Sequence, residues 1–191
     1  MGREFEVKYS ATLEQIETLK EAFPGLTPID MESNYYDTPD AKLGRKHWTL
    51  RRRYENGLSV CTLKTPAPDG SRGEWEVQAE TIEAAISSLV EVGAPETLPT
   101  LTAEGLTLSC GARFTRLAKT ITIPGAVLEL ALDEGVLLGG GQELPFAEVE
   151  AELKEGSEEA VRSFAEALAR EFSLEEEKRS KHARAMLLAQ K

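Results

Sequence analysis

Acidic and basic residues alternate with apolar ones in the segment EFEVK near the N-terminus. Glu4, Glu6 and Lys8 occupy every second position, and apolar residues lie between them. Because successive side chains of a β-strand point to opposite faces, this spacing predicts a strand with two carboxylates and one ammonium on the same face. Carboxylates bind hard divalent cations such as Mg²⁺, whereas ammonium and guanidinium groups bind phosphate oxygens.

The same two-residue spacing recurs along the chain, and the charges of most such segments have one sign. Acidic positions are Glu129, Asp133, Glu148, Glu150 and Glu152, basic positions are Arg51, Arg53, Lys64 and Arg116, and Arg72, Glu74 and Glu76 form a mixed row. A single strand of this kind is ordinarily the solvent-facing side of a half-buried sheet, where polar residues are loosely mixed. The segregation by sign instead indicates charged faces that point towards one another.

Apolar residues on the opposite faces of these strands would be covered by amphipathic helices, which leaves the charged faces around an interior. Unpaired buried ions cost several kcal/mol or more each, so such an interior must be wet and must hold a charged ligand. Carboxylates for a divalent cation and guanidinium groups for phosphate in one place indicate a metal–polyphosphate ligand.

The elements that hold these positions are predicted to be about eight strands and three or four helices. Helices are expected at 12–22, 81–92, 157–172 and 180–189, with Thr12 and Gln15 as a capping box and Ser157 as an N-cap. Hairpins are expected at Glu55-Asn56-Gly57 and Pro124-Gly125, and VLLGGGQEL is expected to be a further short strand with a tight turn. Strands joined by hairpins form antiparallel sheets, and about eight of them can close into a barrel. We therefore expect one α+β domain over 1–191, an eight-stranded antiparallel closed barrel with helices packed outside.

Composition excludes several classes of protein. The 191 residues carry a net charge of −11, which argues against a non-specific nucleic-acid binder. No apolar run approaches the length of a membrane span and the charged N-terminus lacks a signal sequence, so a cytoplasmic location is expected. Cys61 and Cys110 lie far apart and are expected to be free thiols in a reducing compartment. The sequence has only two histidines, His47 and His182, so a zinc site or a Ser-His-Asp triad is not favoured.

The order of these motifs resembles that of the CYTH superfamily, the triphosphate tunnel metalloenzymes. The matching motifs are EFEVK, YYDTP, LRRR, TLK, RGEWE, the strand with Arg116, LELALDEG, AEVEAEL and SKHARA. The resemblance implies an eight-stranded antiparallel barrel around a tunnel. It also implies Mg²⁺- or Mn²⁺-dependent enzymes that hydrolyse inorganic triphosphate, thiamine triphosphate or RNA 5′-triphosphate ends, or that cyclise ATP.

The resemblance further implies roles for individual residues. The metal group would be Glu4, Glu6, Asp133, Glu148 and Glu150, with Glu129 and Glu152 as weaker members. The phosphate-binding residues would be Lys8, Arg51, Arg53, Lys64 and Arg116, with Lys181 and Arg184 at one mouth of the tunnel. The residues implied in catalysis are Glu4, Glu6, Lys8, Arg51, Arg53 and Glu150, and Arg72, Glu74 and Glu76 would form a supporting layer of ion pairs.

These expectations lead to one preferred function and several alternatives. The preferred function is metal-assisted hydrolysis of inorganic triphosphate, in which a water attacks in line and cations neutralise the developing charge. The alternatives are a thiamine triphosphatase or another organic triphosphatase, a class IV-type adenylate cyclase, and a non-catalytic binder of polyphosphate or nucleotides. The expected partner is a small anionic substrate, without nucleic acid or membrane, and either a monomer or a homodimer is compatible with the sequence. Trp48 and Trp75 fall on apolar faces and are expected to pack in the core rather than stack on a base.

Overall fold

A computed structural model describes residues 5–66 and 72–190 of the protein, without the side chain of Arg72. Two of the predicted site groups, Glu4 and the Arg72 side chain, therefore lie outside the described residues.

One antiparallel sheet of nine strands organises the described part of the chain, in the spatial order β5-β4-β3-β2-β6-β7-β8-β1-β9. The strands are β1 (Glu6–Ser10), β2 (Thr27–Asp37), β3 (Thr49–Glu55), β4 (Leu58–Pro66), β5 (Arg72–Gln78), β6 (Thr107–Ile123), β7 (Ala126–Gly139), β8 (Gln142–Gly156) and β9 (Glu175–Glu176). The helices are α1 (Leu13–Ala22), α2 (Lys42–Arg45), α3 (Ile82–Glu91), α4 (Leu98–Thr102), α5 (Glu158–Phe172) and α6 (Lys181–Ala189).

The prediction of an antiparallel α+β fold is confirmed, but closure into an eight-stranded barrel is not. The two-residue strand β9 pairs with β1 through Tyr9 and Ser10. Because β9 occupies that edge of β1, β5 does not pair with it there. Within 5–66 and 72–190, no hydrogen-bonded ladder joins β5 to β9, and these two strands are the edges of the sheet.

Strands β6, β7 and β8 are the longest of the described strands, with 17, 14 and 15 residues. The segment VLLGGGQEL is not a separate strand, because it contains the end of β7, the turn at Gly140-Gly141 and the start of β8. Gly135 lies inside β7, where an added Cβ would lie 2.5 Å from the Phe114 Cβ. This glycine therefore marks a close approach of Phe114 rather than a break.

The predicted helices form where their capping residues indicate. Thr12 and Gln15 form the expected capping box at the start of α1. The Ser157 hydroxyl accepts a hydrogen bond from the Ala160 backbone N–H at the start of α5. The connector before β6 contains one short helix, α4.

Two apolar clusters cover one face of the sheet. Helices α1 and α5 pack on β1, β7 and β8 through residues such as Ile16, Leu128 and Val161. Helices α3 and α4 cover β3, β4 and β5, and Trp48 and Trp75 pack against that cluster as expected. The buried apolar faces of the strands are thus covered by helices, and their other face is free to carry charge.

Helix α6 packs on the face opposite to the other long helices. Its Ala185 is buried among Met31, Ala112 and Phe114, which belong to a third cluster. Cys61 and Cys110 are free and buried, as predicted. Among the residues that the structure describes, no helix is both long and apolar enough to cross a membrane.

Candidate active site

The strand register places the predicted site residues on one face of the sheet, which we call the charged face. Directly paired residues of neighbouring strands share a face. The relevant pairs are Glu6 with Glu152, Lys8 with Glu150, Glu148 with Asp133, Asp133 with Arg116, Glu129 with Glu152, Arg51 with Thr62, Thr62 with Glu76, and Lys64 with Glu74. Arg53 follows Arg51 at the same parity on β3. The shared face inferred from spacing is thereby confirmed for the residues that the structure describes.

Three carboxylates on β7 and β8 form a buried cluster, which we call the acidic triad. Asp133, Glu148 and Glu150 each offer an oxygen within 4.8 Å of the others. Asp133 and Glu148 are 0% exposed and Glu150 is 8% exposed. Charges buried to this degree require compensation, because transfer from water costs several kcal/mol per ion.

The compensation comes from three cationic side chains. Arg116 donates two hydrogen bonds of 2.8 Å to Asp133 and a third to Glu150. The Lys181 Nζ lies 2.7 Å from Asp133 Oδ2 and 3.0 Å from Glu150 Oε1, and it contacts Glu148 Oε1 as an ion pair. Arg184 donates to the other oxygen of Glu148. All six triad oxygens therefore contact a cationic nitrogen.

These contacts shift the pKa values of the cluster. Burial alone would raise the pKa of Glu150, but Lys181 and Arg116 outweigh burial and hold that pKa well below its usual range. Burial dominates at Glu148 and raises its pKa despite the attraction of Lys181. For Lys181, burial is outweighed by the surrounding carboxylates, Glu150 first, so its pKa is raised. The ammonium of Lys181 therefore stays charged at neutral pH.

Two aromatic rings lie beside the cations and were not among the predicted site residues. The Lys181 Nζ lies 4.9 Å from the Phe114 ring centroid and 5.6 Å from that of Phe146. The Arg184 guanidinium lies 5.4 Å from the Phe146 ring. Such cation–π contacts favour a charged group over an aromatic face. Their position could have been predicted from the sequence, because Phe114 precedes Arg116 by two residues and Phe146 precedes Glu148 by two residues. Each ring therefore lies on the same face as its charged neighbour.

A basic group on β3 has donors that the protein leaves unpaired. The Nε atoms of Arg51 and Arg53 are buried and have no hydrogen-bond partner among the described residues. Their other contacts are a 3.2 Å hydrogen bond from Arg51 to Thr62 and a 2.5 Å ion pair between Arg53 and Glu55. Burial and the neighbouring Arg51 charge lower the pKa of Arg53. Buried N–H donors without acceptors are rare in native proteins, and an anionic ligand would satisfy these.

Glu74 and Glu76 on β5, two residues of the expected supporting layer, contact side chains of β4. Lys64 Nζ lies 3.2 Å from Glu74 Oε2, and the Thr62 hydroxyl donates a 3.3 Å hydrogen bond to Glu76. Arg52 pairs with Cys61 and Arg113 with Val136 in the sheet register, so both arginines lie on the face opposite to the charged face. Arg52 lies over the Tyr54 ring, and Arg113 pairs with Glu143 at 2.7 Å.

A second set of carboxylates, which we call the rim carboxylates, consists of Glu6, Glu129 and Glu152. Glu152 lies between the other two in the sheet register. Glu129 and Glu152 have side chains that are 27% and 26% exposed, and Lys154 lies 3.8 Å and 2.9 Å from them. The side chains of Glu129 and Glu152 are therefore partly exposed to solvent, and carboxylate oxygens are the ligands that hard divalent cations prefer. The acidic triad does not fit one in this conformation, because all its oxygens contact cations and Lys181 lies among them.

Comparison with known structures gives two results. A protein from Hippeastrum described as having a dominant triphosphatase activity superposes with a TM-score of 0.68 and 21% identity, over 94% of this chain and 93% of that one. A Pyrococcus horikoshii protein superposes with a TM-score of 0.61 and 24% identity, over 98% and 99% of the two chains. These likenesses show a shared fold.

Comparison with known sequences gives two further results. An inorganic triphosphatase of Haemophilus influenzae is 28% identical over 161 residues, which are 83% of this chain and 46% of that protein. The chain thus spans about half the length of this relative. The CYTH domain profile matches residues 2–186, and because that match covers far more than half of the chain, the protein belongs to the CYTH domain family.

Proposed function

We propose that the protein hydrolyses inorganic triphosphate to pyrophosphate and phosphate on its charged face, with Mg²⁺ or Mn²⁺ as cofactor. The observation that carries this proposal is that the Nε atoms of Arg51 and Arg53, on the same face as the carboxylates, are buried and have no hydrogen-bond partner in the part of the chain that the structure describes. The name of the Haemophilus influenzae relative, inorganic triphosphatase, supports the choice of substrate.

Substrate binding would depend on the cations that the structure leaves available. Lys8 is buried, and within the described residues its ammonium has no carboxylate at ion-pair distance. We propose that Lys8, Arg51 and Arg53 hold the phosphates, with Lys64 beside them. Arg116, Lys181 and Arg184 contact the acidic triad, so their positive charge is already compensated within the protein.

The divalent cation would be held by Glu6, Glu129 and Glu152, together with Glu4. Of the other carboxylates implied by the resemblance, Asp133, Glu148 and Glu150 could contribute only after Lys181 moved away. When bound, the cation neutralises phosphate charge and acidifies bound water.

The protein's own groups would complete the reaction. A rim carboxylate accepts a proton from the attacking water, whose oxygen forms a bond to the terminal phosphorus as the phosphoanhydride bond breaks. Arg51 and Arg53 donate hydrogen bonds to the oxygens on which negative charge accumulates in the transition state. Glu150 is the less suitable base, because its lowered pKa makes it a poor proton acceptor.

We further propose that 1–191 acts as a single domain on a small anionic substrate. The buried free thiols of Cys61 and Cys110 support a reducing compartment such as the cytoplasm.

A panel of phosphate-release assays tests this function. Purified protein is given triphosphate, thiamine triphosphate, ATP or pyrophosphate, each with Mg²⁺, Mn²⁺ or EDTA. We expect fast release from triphosphate, abolished by EDTA, and slow release from the others. Faster release from thiamine triphosphate, cyclic AMP formation without phosphate release, or binding without turnover would each contradict the proposal in favour of one alternative.

A further inference from the structure

The acidic triad already contains a cation that belongs to the chain. Lys181 Nζ contacts one oxygen of each triad carboxylate, and its side chain is 11% exposed. The remaining triad oxygens contact Arg116 and Arg184. Three carboxylates and three cations sum to zero charge. A divalent ion added to this set would leave two uncompensated positive charges in a buried site, which is strongly unfavourable.

The turn between β7 and β8 packs closely against helix α6, whose first residue is Lys181. An added Cβ at Gly139 would lie 2.4 Å from the Ala185 carbonyl oxygen and 2.8 Å from the Ala189 nitrogen. At Gly140 it would lie 3.2 Å from the Ala189 Cα. These neighbours are backbone atoms of α6, and they could make room for a Cβ only if the whole helix moved. The glycine run at 139–141 thus lets α6 approach the sheet closely.

Apolar packing fixes the same helix further along. Ala185 is 0% exposed, and the His182 ring centroid lies 4.7 Å from that of Tyr35 on β2. The position of the Lys181 ammonium is therefore coupled to the position of the whole helix.

We propose that Lys181 is a built-in cation that closes the acidic triad to divalent ions, and that α6, held by the glycine turn, must be displaced before such an ion binds there. The inference deepens the proposed function, because it decides which carboxylates a divalent ion reaches. With α6 in place, the rim carboxylates hold the ion, and the triad positions Arg116 and Lys181.

Mn²⁺ binding to the metal-free full-length protein, measured by calorimetry without substrate, tests this inference. Lys181→Met keeps the length of the side chain and removes its charge. We expect this variant to bind an additional equivalent of Mn²⁺ relative to wild type. Asp133→Asn in the same background should abolish the additional site.

Three further variants complete the experiment. Lys181→Arg keeps a cation and should bind Mn²⁺ like wild type. Lys178→Met removes an ammonium that is 79% exposed on the same segment and should also have no effect. Gly139→Ala keeps Lys181 but forces α6 away from the turn, so it should gain the same additional site even if Lys181→Met does not fold.

Wild-type stoichiometry in folded Lys181→Met or in Gly139→Ala, with folding verified by circular dichroism, would overturn the inference. Because substrate is absent from this measurement, a lack of triphosphate hydrolysis by the wild type would refute the proposed function and leave the result on Lys181 standing.

Discussion

Individual residues on the charged face differ in whether the protein itself satisfies their charge. Arg116 is bidentate to Asp133 and also donates to Glu150. Arg51 donates one hydrogen bond to a hydroxyl group, and its buried Nε has no partner within 5–66 and 72–190. A guanidinium with an open donor binds an incoming phosphate without first breaking an ion pair. We therefore assign phosphate binding to Arg51 in preference to Arg116.

Arg51→Ala tests this assignment. Hydrogen bonds to charged groups contribute about 1.5–3 kcal/mol, so we expect the KM for triphosphate to rise about tenfold to a hundredfold. Arg113→Ala is the matched control, since this arginine lies on the opposite face and pairs with Glu143. Steady-state kinetics would give the KM for triphosphate of both variants. Equal changes in KM would contradict the assignment.

The two buried thiols give a prediction about pH. Burial raises the pKa of Cys61 to about 11 and that of Cys110 to about 12, from an ordinary value near 9. Above about pH 9 the thiols ionise in the unfolded chain but not in the folded one, so the free energy of unfolding falls as pH rises towards these values. Urea unfolding of wild type and Cys110→Ala measures the effect. The free energy of unfolding should fall less with rising pH in the variant than in wild type. An equal fall in both proteins would refute the prediction.

Parity predicted which face each charge occupies but not its partner. The alternation in EFEVK or AEVEAEL is a local property, and the register confirmed it. The contacts of Arg116, Lys181 and Arg184 with the triad join residues far apart in sequence. They depend on strand register and on the position of α6, neither of which a local pattern specifies.

At the scale of secondary structure, helices were predicted well because their ends carry chemical signals. The Thr12 and Gln15 capping box and the Ser157 N-cap both form. Strand β9 was missed because two glutamates within an acidic run carry no alternation. The length of β7 was missed because Gly135 resembles a strand end. A glycine is required there for a tertiary reason, since Phe114 on β6 approaches it closely.

The cap of α5 gives a stability prediction. Ser157→Ala removes the hydroxyl that accepts from Ala160 N–H, so we expect about 1 kcal/mol lower free energy of unfolding. Ser163→Ala removes an exposed hydroxyl within the same helix, where alanine is the better helix former, and should be neutral or slightly stabilising. Urea denaturation compares the two, and an equal effect of both changes would contradict the capping role.

On the scale of the whole molecule, the sheet has two faces with different tasks. Helices α1, α3, α4 and α5 bury the apolar face, and the other face carries the acidic triad, the rim carboxylates and the basic group on β3. This separation was predictable, because it follows from alternation summed over all strands. The placement of α6 on the charged face was not, since its amphipathic pattern alone does not specify which face it contacts.

The initial rate of phosphate release from triphosphate in Glu152→Gln and Glu143→Gln tests most directly whether the charged face is the active site. Both glutamates lie on β8, but Glu152 belongs to the rim carboxylates and Glu143 pairs with Arg113 on the opposite face. At saturating Mg²⁺ we expect Glu152→Gln to lose at least about a hundredfold in rate and Glu143→Gln to match wild type. A wild-type rate in Glu152→Gln, or an equal loss in both variants, would contradict the account.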